Sequence, residues 1–247
     1  MLRPLAVAFG FLTRVPLATG DVAPRELGRA VAWFPAVGAA LGALLVVTAR
    51  ATGALPTGVV AVLVVALHAA VTGGLHLDGV ADVFDALGGG RGQRDRMLAI
   101  LRDSRIGAHG ATAVSLVIVA KVVTVAALVD PGAGHRAVWA LYAAPAAGRW
   151  AVVPLIVAFP YARPDGLGKP FHGHAGAAQL AGATGIAAAA LGGLGGRAIA
   201  PALAALLAAL AIGAWLHRHL GGLTGDVYGA AIEAAELAFL IVACAAR

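Results

Sequence analysis

Long apolar stretches separated by short polar segments fill this chain. Seven of them approach or exceed the ~18 apolar residues that span a bilayer core. They cover residues 30–49, 56–75, 110–129, 137–159, 177–193, 198–216 and 227–246. The fifth is the weakest: it is Gly-rich, carries Gln179 and Thr184, and is parted from the sixth only by residues 194–197. A re-entrant hairpin there would leave six spans. The periodicity therefore predicts an all-α, polytopic transmembrane helical bundle of six to seven spans, one integral membrane domain over residues 1–247. Residues 1–20 hold Arg3 and a short apolar run broken by Arg14, with no A-x-A cleavage pattern, and read as a retained interfacial segment rather than a signal peptide.

Composition agrees with the pattern. Of 247 residues, 60% are hydrophobic and 12% charged, against about 25% charged in a soluble domain. The apolar content is mostly Ala, Val, Leu and Gly, small residues that let helices approach closely in lipid. The single cysteine, Cys244, can form no intrachain disulfide.

A net charge of +6 would suggest nucleic acid in a soluble protein, but no basic, aromatic-interleaved surface exists here to bind it. In a membrane protein the position of the basic residues matters more. With seven spans, one side receives Arg3, Arg14, Arg25, Arg29, Arg91, Arg94, Arg96, Arg102, Arg105, Arg163, Lys169 and Arg218. The other receives Arg50, Arg136, Arg197 and Arg247. This bias predicts that the first side is cytoplasmic, with the N-terminus inside and the C-terminus outside. Asp78, Asp82, Asp85, Asp95, Asp103, Asp165 and Asp226 fall on that same side. A transporter would place polar groups near the midplane; this chain reads as an enzyme working at one surface.

The richest stretch is Gly73-Gly74-Leu75-His76-Leu77-Asp78-Gly79-Val80-Ala81-Asp82-Val83-Phe84-Asp85-Ala86. On a helix, Asp78, Asp82 and Asp85 fall at i, i+4 and i+7, within an arc of ~60° at ~100° per residue. Three carboxylates on one face repel one another, and a hard divalent cation such as Mg²⁺ is the natural compensation. A glycine loop follows at residues 88–92, and then Arg102-Asp103-Ser104-Arg105-Ile106-Gly107. Arginine forks match phosphate oxygens. Residues 76–109 are thus predicted to be a cytoplasmic, acidic and arginine-rich active-site segment.

A second segment, residues 221–234, aligns to residues 73–86 without gaps at a constant offset of 148. The Gly-Gly-Leu start recurs, Asp78 is answered by Asp226, and Asp85 by Glu233, whereas His76 and Asp82 are answered by Thr224 and Ala230. The correspondence suggests a parallel internal repeat whose two acidic helices meet around one site, with carboxylate groups able to hold two metal ions for displacement at phosphorus. Glu233 and Glu236 sit inside an apolar span, where a carboxylate must be paired or functional. Lys121 also lies within a span and needs a partner. His68 reads as a helix-packing polar residue, and His172 and His174 as a solvated loop.

Gly-Gly-Leu-His-Leu-Asp-Gly-x-Ala-Asp-x-x-Asp followed by Arg-Asp-Ser-Arg-Ile-Gly-Ala-x-Gly resembles the cobalamin synthase family. So do Phe11-Leu12-Thr13-Arg14-Val15-Pro16, Gly148-Arg149-Trp150, Pro160-Tyr161-Ala162-Arg163 with Gly166-Leu167-Gly168, and Thr224-Gly225-Asp226-x-x-Gly229-Ala230. The matches run in order from residue 9 to about 236; His109 stands where the family pattern leads one to expect an aromatic such as Tyr. The resemblance implies a Mg²⁺-dependent enzyme of the cytoplasmic membrane. It would join adenosylcobinamide-GDP to α-ribazole, or its 5′-phosphate, and release GMP in the last assembly of vitamin B12.

Under that resemblance Asp78, Asp82, Asp85, Asp226 and Glu233 are the expected metal ligands. His76, Asp85 and Glu233 are the expected catalytic groups, the base being a carboxylate or His76. Arg102, Ser104, Arg105, Arg149 and Lys169 are expected to hold substrate. A membrane CDP-alcohol phosphotransferase is the nearest rival, but its Asp-Gly-x-x-Ala-Arg start is absent, since Ala81 is followed by Asp82. A cation-coupled transporter is the more distant one.

Overall fold

The computed structural model describes residues 2–18, 20–130, 138–166 and 168–245. Arg136, Leu167 and Arg247 lie outside them. Helix α1 (Leu2–Leu12) buries Val7, Ala8 and Leu12. It is tied to α2 (Pro24–Ala30) by an ion pair of 2.5 Å between Arg3 and Glu26. Through a single 3₁₀ turn α2 runs on into α3 (Phe34–Ala51). Helices α4 (Thr57–Thr72), α5 (Leu75–Gly90), α6 (Arg94–Ile100) and α7 (Ala108–Val129) follow. Then come α8 (Val138–Ala151), α9 (Val153–Ala158), α10 (Lys169–His174), α11 (Ala177–Gly192), α12 (Ile199–Leu220) and α13 (Gly225–Ala245).

Among the described residues, five helical stretches are long and apolar enough to cross a membrane: Pro24–Ala51, Ala108–Val129, Val138–Ala158, Gly195–Leu220 and Gly225–Ala245. The bent pair α4–α5 makes a sixth if taken as one. The chain is a multi-pass membrane protein. Residues such as Val47, Leu116, Val123 and Leu207 are exposed on the outer surface of these helices, where lipid replaces water as the solvent.

Small residues set the helix spacing. Gly38 and Gly42, one turn apart on α3, face α8 so closely that a Cβ on either would run into the α8 backbone at Pro145 or Tyr142. This is the small-xxx-small contact that brings helices together in lipid.

One end of the bundle gathers the turns that matter. There Arg14 donates its amide to the Val71 carbonyl at 2.8 Å, Arg94 Nε donates to Leu220 O at 2.8 Å, and Arg163 donates to Leu101 O at 3.0 Å. Gly28 packs against His174 at the same end. Because α12 finishes there after 22 residues, about 33 Å of helix, its start lies at the far end. Helix α11 and the turn after it therefore carry the chain across. At 16 residues α11 is shorter than the ~18 that span a bilayer core, and it occupies the segment read from sequence as the weakest span.

The second predicted span ends early. It was expected over residues 56–75, but Gly73 and Gly74 take φ of 65° and 70°, a left-handed conformation that glycine adopts without strain. The chain turns by 88° there, and α5 lies across the end of the bundle instead of prolonging α4.

Candidate active site

Helix α5 is placed by its crossing with α13. A Cβ at Gly79 would press on the Asp226 carbonyl at 2.5 Å, and one at Gly229 would come within 3.2 Å of His76 Cα. The two acidic helices thus touch backbone to backbone near their starts, and this contact brings Asp78 and Asp226 onto one cavity. Helix α13 begins after its own left-handed turn, at Gly221 with φ of 71°. The loop before it is stitched to the segment after α9 in a short parallel bridge between Tyr161 and Leu223. Leu223 N donates to Pro160 O, and Ala162 N to Leu223 O, both at 2.8 Å.

That bridge sets Arg163 over Asp226. Arg163 donates to Asp226 Oδ2 at 3.1 Å, and Thr224 Oγ1 donates to the same oxygen at 3.1 Å. Asp82 lies within electrostatic reach of Asp78, Asp226 and Asp85, with Arg163 as the facing positive charge. The cavity measures about 280 Å³. Phe11, Phe34 and Phe171 form one wall, with Phe11 and Phe171 edge to face at 4.4 Å between ring centres. Tyr161 and Tyr228 stand on the other side. Burial pushes the Tyr161 hydroxyl pKa up, although it accepts hydrogen bonds from Gly225 and Gly168. Two wider openings adjoin. One, of about 660 Å³, shares Asp78 and is lined by Arg14 and Gly73. The other, of about 710 Å³, shares Arg163 and is lined by Lys169, His172 and His174.

The five expected metal ligands do not converge. Asp78, Asp82 and Asp226 lie together, but the two later acids of the helices are engaged elsewhere. Asp85 accepts the Gly107 amide at 2.6 Å and the Gly110 amide at 2.8 Å, and so caps the start of α7. Both partners are glycines because a Cβ at either would collide with the carboxylate. Glu233 is buried against Lys121 at 2.5 Å. Among the described residues, no three His, Cys, Asp or Glu side chains are arranged to hold a metal ion by themselves. Mg²⁺, however, commonly takes only one or two carboxylates and completes its shell with phosphate and water oxygens. Asp78 and Asp226 on one cavity, with Asp82 beside them, fit that donor set.

The expected substrate residues divide as well. Arg149 is fully buried, not at the cavity: its side chain donates to Glu236 at 2.5 Å and to the Pro145 carbonyl at 3.2 Å. Glu236 also pairs with Lys121 at 2.8 Å, and His68 Nδ1 stands 3.7 Å from it. These charges neutralise one another inside the bundle, which supplies the partner that Lys121 required. Arg102 pairs with Asp165 at 3.1 Å and Arg105 with Asp103 at 2.7 Å, all on the exposed rim. Hydrogen bonds from Arg105 hold the Asp103 carboxyl down to about 2. Ser104 is exposed beside them. Lys169 donates to the Pro164 carbonyl and lines the wider basic opening. His76 lines the inner cavity, 2% exposed, with neither ring nitrogen hydrogen-bonded.

Arg14, Tyr161, Arg163 and Tyr228 line these cavities without having been assigned a role from sequence. Arg14, Tyr161 and Arg163 did stand inside the short motifs that carry the family resemblance, and those motifs were the signal that could have found them.

The sequence profile of the cobalamin-5-phosphate synthase family matches residues 4–244. The chain belongs to that family. Among its curated relatives, the adenosylcobinamide-GDP ribazoletransferase of Pseudomonas aeruginosa (strain UCBPP-PA14) is 40% identical over 248 residues, covering 97% of both chains. The enzyme of the same name from Roseiflexus sp. (strain RS-1) is 40% identical, over 96% of this chain and 87% of its own. That from Thiobacillus denitrificans (strain ATCC 25259 / T1) is 40% identical, over 98% and 95%. No solved structure matches the chain. As a member of this family the protein is a transferase of cobalamin biosynthesis, and the CDP-alcohol phosphotransferase and transporter alternatives fall away.

Proposed function

We propose that this chain transfers the phosphocobinamide group of adenosylcobinamide-GDP to a ribose hydroxyl of α-ribazole, or of its 5′-phosphate, with Mg²⁺ present. The site would face the cytoplasm from the cytoplasmic membrane, since the basic residues of the described chain crowd the site end while Arg50 and Arg197 stand at the other. One observation carries the chemistry. The two acidic helices cross at Gly79 and Gly229, so that Asp78 and Asp226 share a cavity with Arg163 above them.

In the reaction the ribose oxygen forms a bond to the phosphorus on the cobinamide side of the pyrophosphate. The bond from that phosphorus to the bridging oxygen breaks, and GMP leaves with the oxygen. The hydroxyl proton passes to a carboxylate of the Asp78, Asp82 and Asp226 group. Asp78, Asp82 and Asp226 would hold Mg²⁺, which when bound supplies positive charge to the phosphoryl oxygens. Arg163 keeps its guanidinium beside that position through Asp226 and the Leu101 carbonyl, and Arg14 lines the neighbouring opening together with Asp78. Fixed donors of this kind act on the charge that develops in the transition state.

The test is GMP release and cobalamin formation by membranes containing this chain, given both substrates, with Mg²⁺ and then with a chelator. Mg²⁺-dependent formation of both products is expected. Well-folded protein that yields neither under any divalent metal would overturn the reading.

A further inference from the structure

We propose that the inner cavity receives the benzimidazole base of the ribazole substrate, so that this pocket, not the pyrophosphate site, selects the nucleophile. This rests on the transferase reading above and assigns a piece of substrate to a place in it. A cavity of about 280 Å³ cannot admit a corrin macrocycle. Its walls are aromatic and aliphatic, from Phe11, Phe34, Phe171, Val152 and Ile156, and would strip water from a pyrophosphate or a ribose without replacing it. A flat heterocycle is the part of either substrate that suits such a slot. The Phe11, Phe34 and Phe171 rings meet at 4.4 to 6.2 Å between centres, and Gly166 and Gly168 keep the tyrosine side free of branches.

Two bases remain, guanine and benzimidazole. Guanine carries polar atoms around most of its edge and needs a partner for each when buried. The buried polar groups without a partner in this cavity are the His76 ring nitrogens and the Tyr228 hydroxyl, on side chains 2% and 7% exposed, and Arg163 Nε. Arg163 and Asp226 are only half-buried and Asp78 is exposed, so these three stand toward the mouth and the deep part offers only His76 and Tyr228. One ring N–H or O–H there satisfies the single free imine nitrogen of a ribosyl-benzimidazole and leaves the rest of the base against hydrocarbon. The placement also suits the chemistry. With the base inside, the ribose lies at the mouth beside Asp78, Asp226 and Arg163, where its hydroxyl must react. The wide basic opening past Arg163, with Lys169, His172 and His174, is left for the guanosine monophosphate that departs.

The experiment is steady-state kinetics of the full-length enzyme in membranes, varying each substrate in turn, for the wild type, Phe34→Ala and Tyr228→Phe. Product formation by the wild type is read first and tests the transferase assignment alone. Given that activity, KM for α-ribazole should rise about tenfold in the variants, the scale of one lost pocket contact, apolar in Phe34→Ala and a hydrogen bond in Tyr228→Phe. KM for adenosylcobinamide-GDP should stay within about twofold. A rise confined to adenosylcobinamide-GDP would put guanine in the cavity and overturn the proposal, as would equal shifts for both substrates. Should the variants fail to fold, the wild type still decides. Free 5,6-dimethylbenzimidazole should inhibit competitively against α-ribazole and not against adenosylcobinamide-GDP. Guanosine competing with α-ribazole in its place would overturn the assignment.

Discussion

The two Gly-Gly-Leu segments, 73–86 and 221–234, share a sequence pattern and follow different paths. Each begins where a helix arrives at the site end and turns through a left-handed glycine. Each puts its first acid, Asp78 or Asp226, on the same cavity. From there α5 runs across the end of the bundle, while α13 goes back into it as a spanning helix. Two turns on, the second acids meet opposite surroundings. Asp85, half-buried near the loop, caps two backbone amides; Glu233, buried in the bundle, is held by Lys121. Both grip α7, at its start and at its middle. A carboxylate at the turn opens onto the cavity, whereas one deeper in a low-dielectric interior must be neutralised by the protein itself.

The division can be broken most directly at the first acids. Asp226→Asn or Asp78→Asn should lower kcat by about 10³-fold, the scale of losing one preorganised electrostatic group at a transition state. Thermal unfolding of the detergent-solubilised protein should be nearly unchanged for Asp78→Asn, since Asp78 is exposed. The double variant should be little worse than either single one if both act as a unit. Turnover near wild type in a single variant would remove the substituted aspartate from the reaction.

The second acids should give the reverse outcome. Lys121→Met leaves Glu233 with uncompensated charge in the bundle and Glu236 with Arg149 as its remaining ion-pair partner. Removing one partner of a buried pair costs about 3–5 kcal/mol. Folded yield and unfolding temperature should drop sharply, while kcat per folded molecule stays close to wild type. A variant that folds normally and loses kcat would place the buried charges in the chemistry.

Much of this was legible in the sequence, and the rest was hidden for a physical reason. Spacing at i, i+4 and i+7 put Asp78, Asp82 and Asp85 on one helical face, but face alone cannot tell a ligand from a cap. The glycines that receive Asp85 lie 22 and 25 residues downstream. Arg149 looked like a phosphate clamp because it stands in the Gly148-Arg149-Trp150 motif that carries the family resemblance; its partner Glu236 lies 87 residues away on another helix. Arg163 was one basic residue among twelve until the Tyr161–Leu223 bridge carried it to Asp226. The bend at Gly73 and Gly74 was likewise masked, since hydropathy runs on through it and only the backbone angle stops the helix.

A gentler change sharpens the contrast at Asp85. Asp85→Asn keeps the shape but turns one acceptor into a donor facing a backbone N–H. A hydrogen bond from an amide to a charged group is worth about 1.5–3 kcal/mol, so a loss of that order in stability is expected. The loop that carries Arg102 and Arg105 would loosen with it. KM for adenosylcobinamide-GDP should rise more than kcat falls if that loop orients substrate. An unchanged KM together with the stability loss would confine Asp85 to holding α7.

The smallest effect should come from the rim. Arg105 is exposed, and its side-chain hydrogen bonds go to Asp103, two residues away. An exposed local pair of this sort adds little to stability, so Arg105→Ala should leave the unfolding temperature unchanged. The carboxyl of Asp103 is depressed to about 2 by Arg105. The pair is therefore fully formed above the ordinary carboxylate range and is lost only as pH falls toward that value. Between pH 5 and 8 any effect of Arg105→Ala must come from substrate, not from titration of the pair. If the arginine meets the pyrophosphate, KM for adenosylcobinamide-GDP should rise a few-fold, with a KM ratio to wild type that shrinks as salt is added and screens the rim charges. A ratio flat in salt, or a change that tracks pH across that window, would mean that Arg105 meets no phosphate and that the binding of charge rests with Arg163 and Arg14, the arginines held at the cavities.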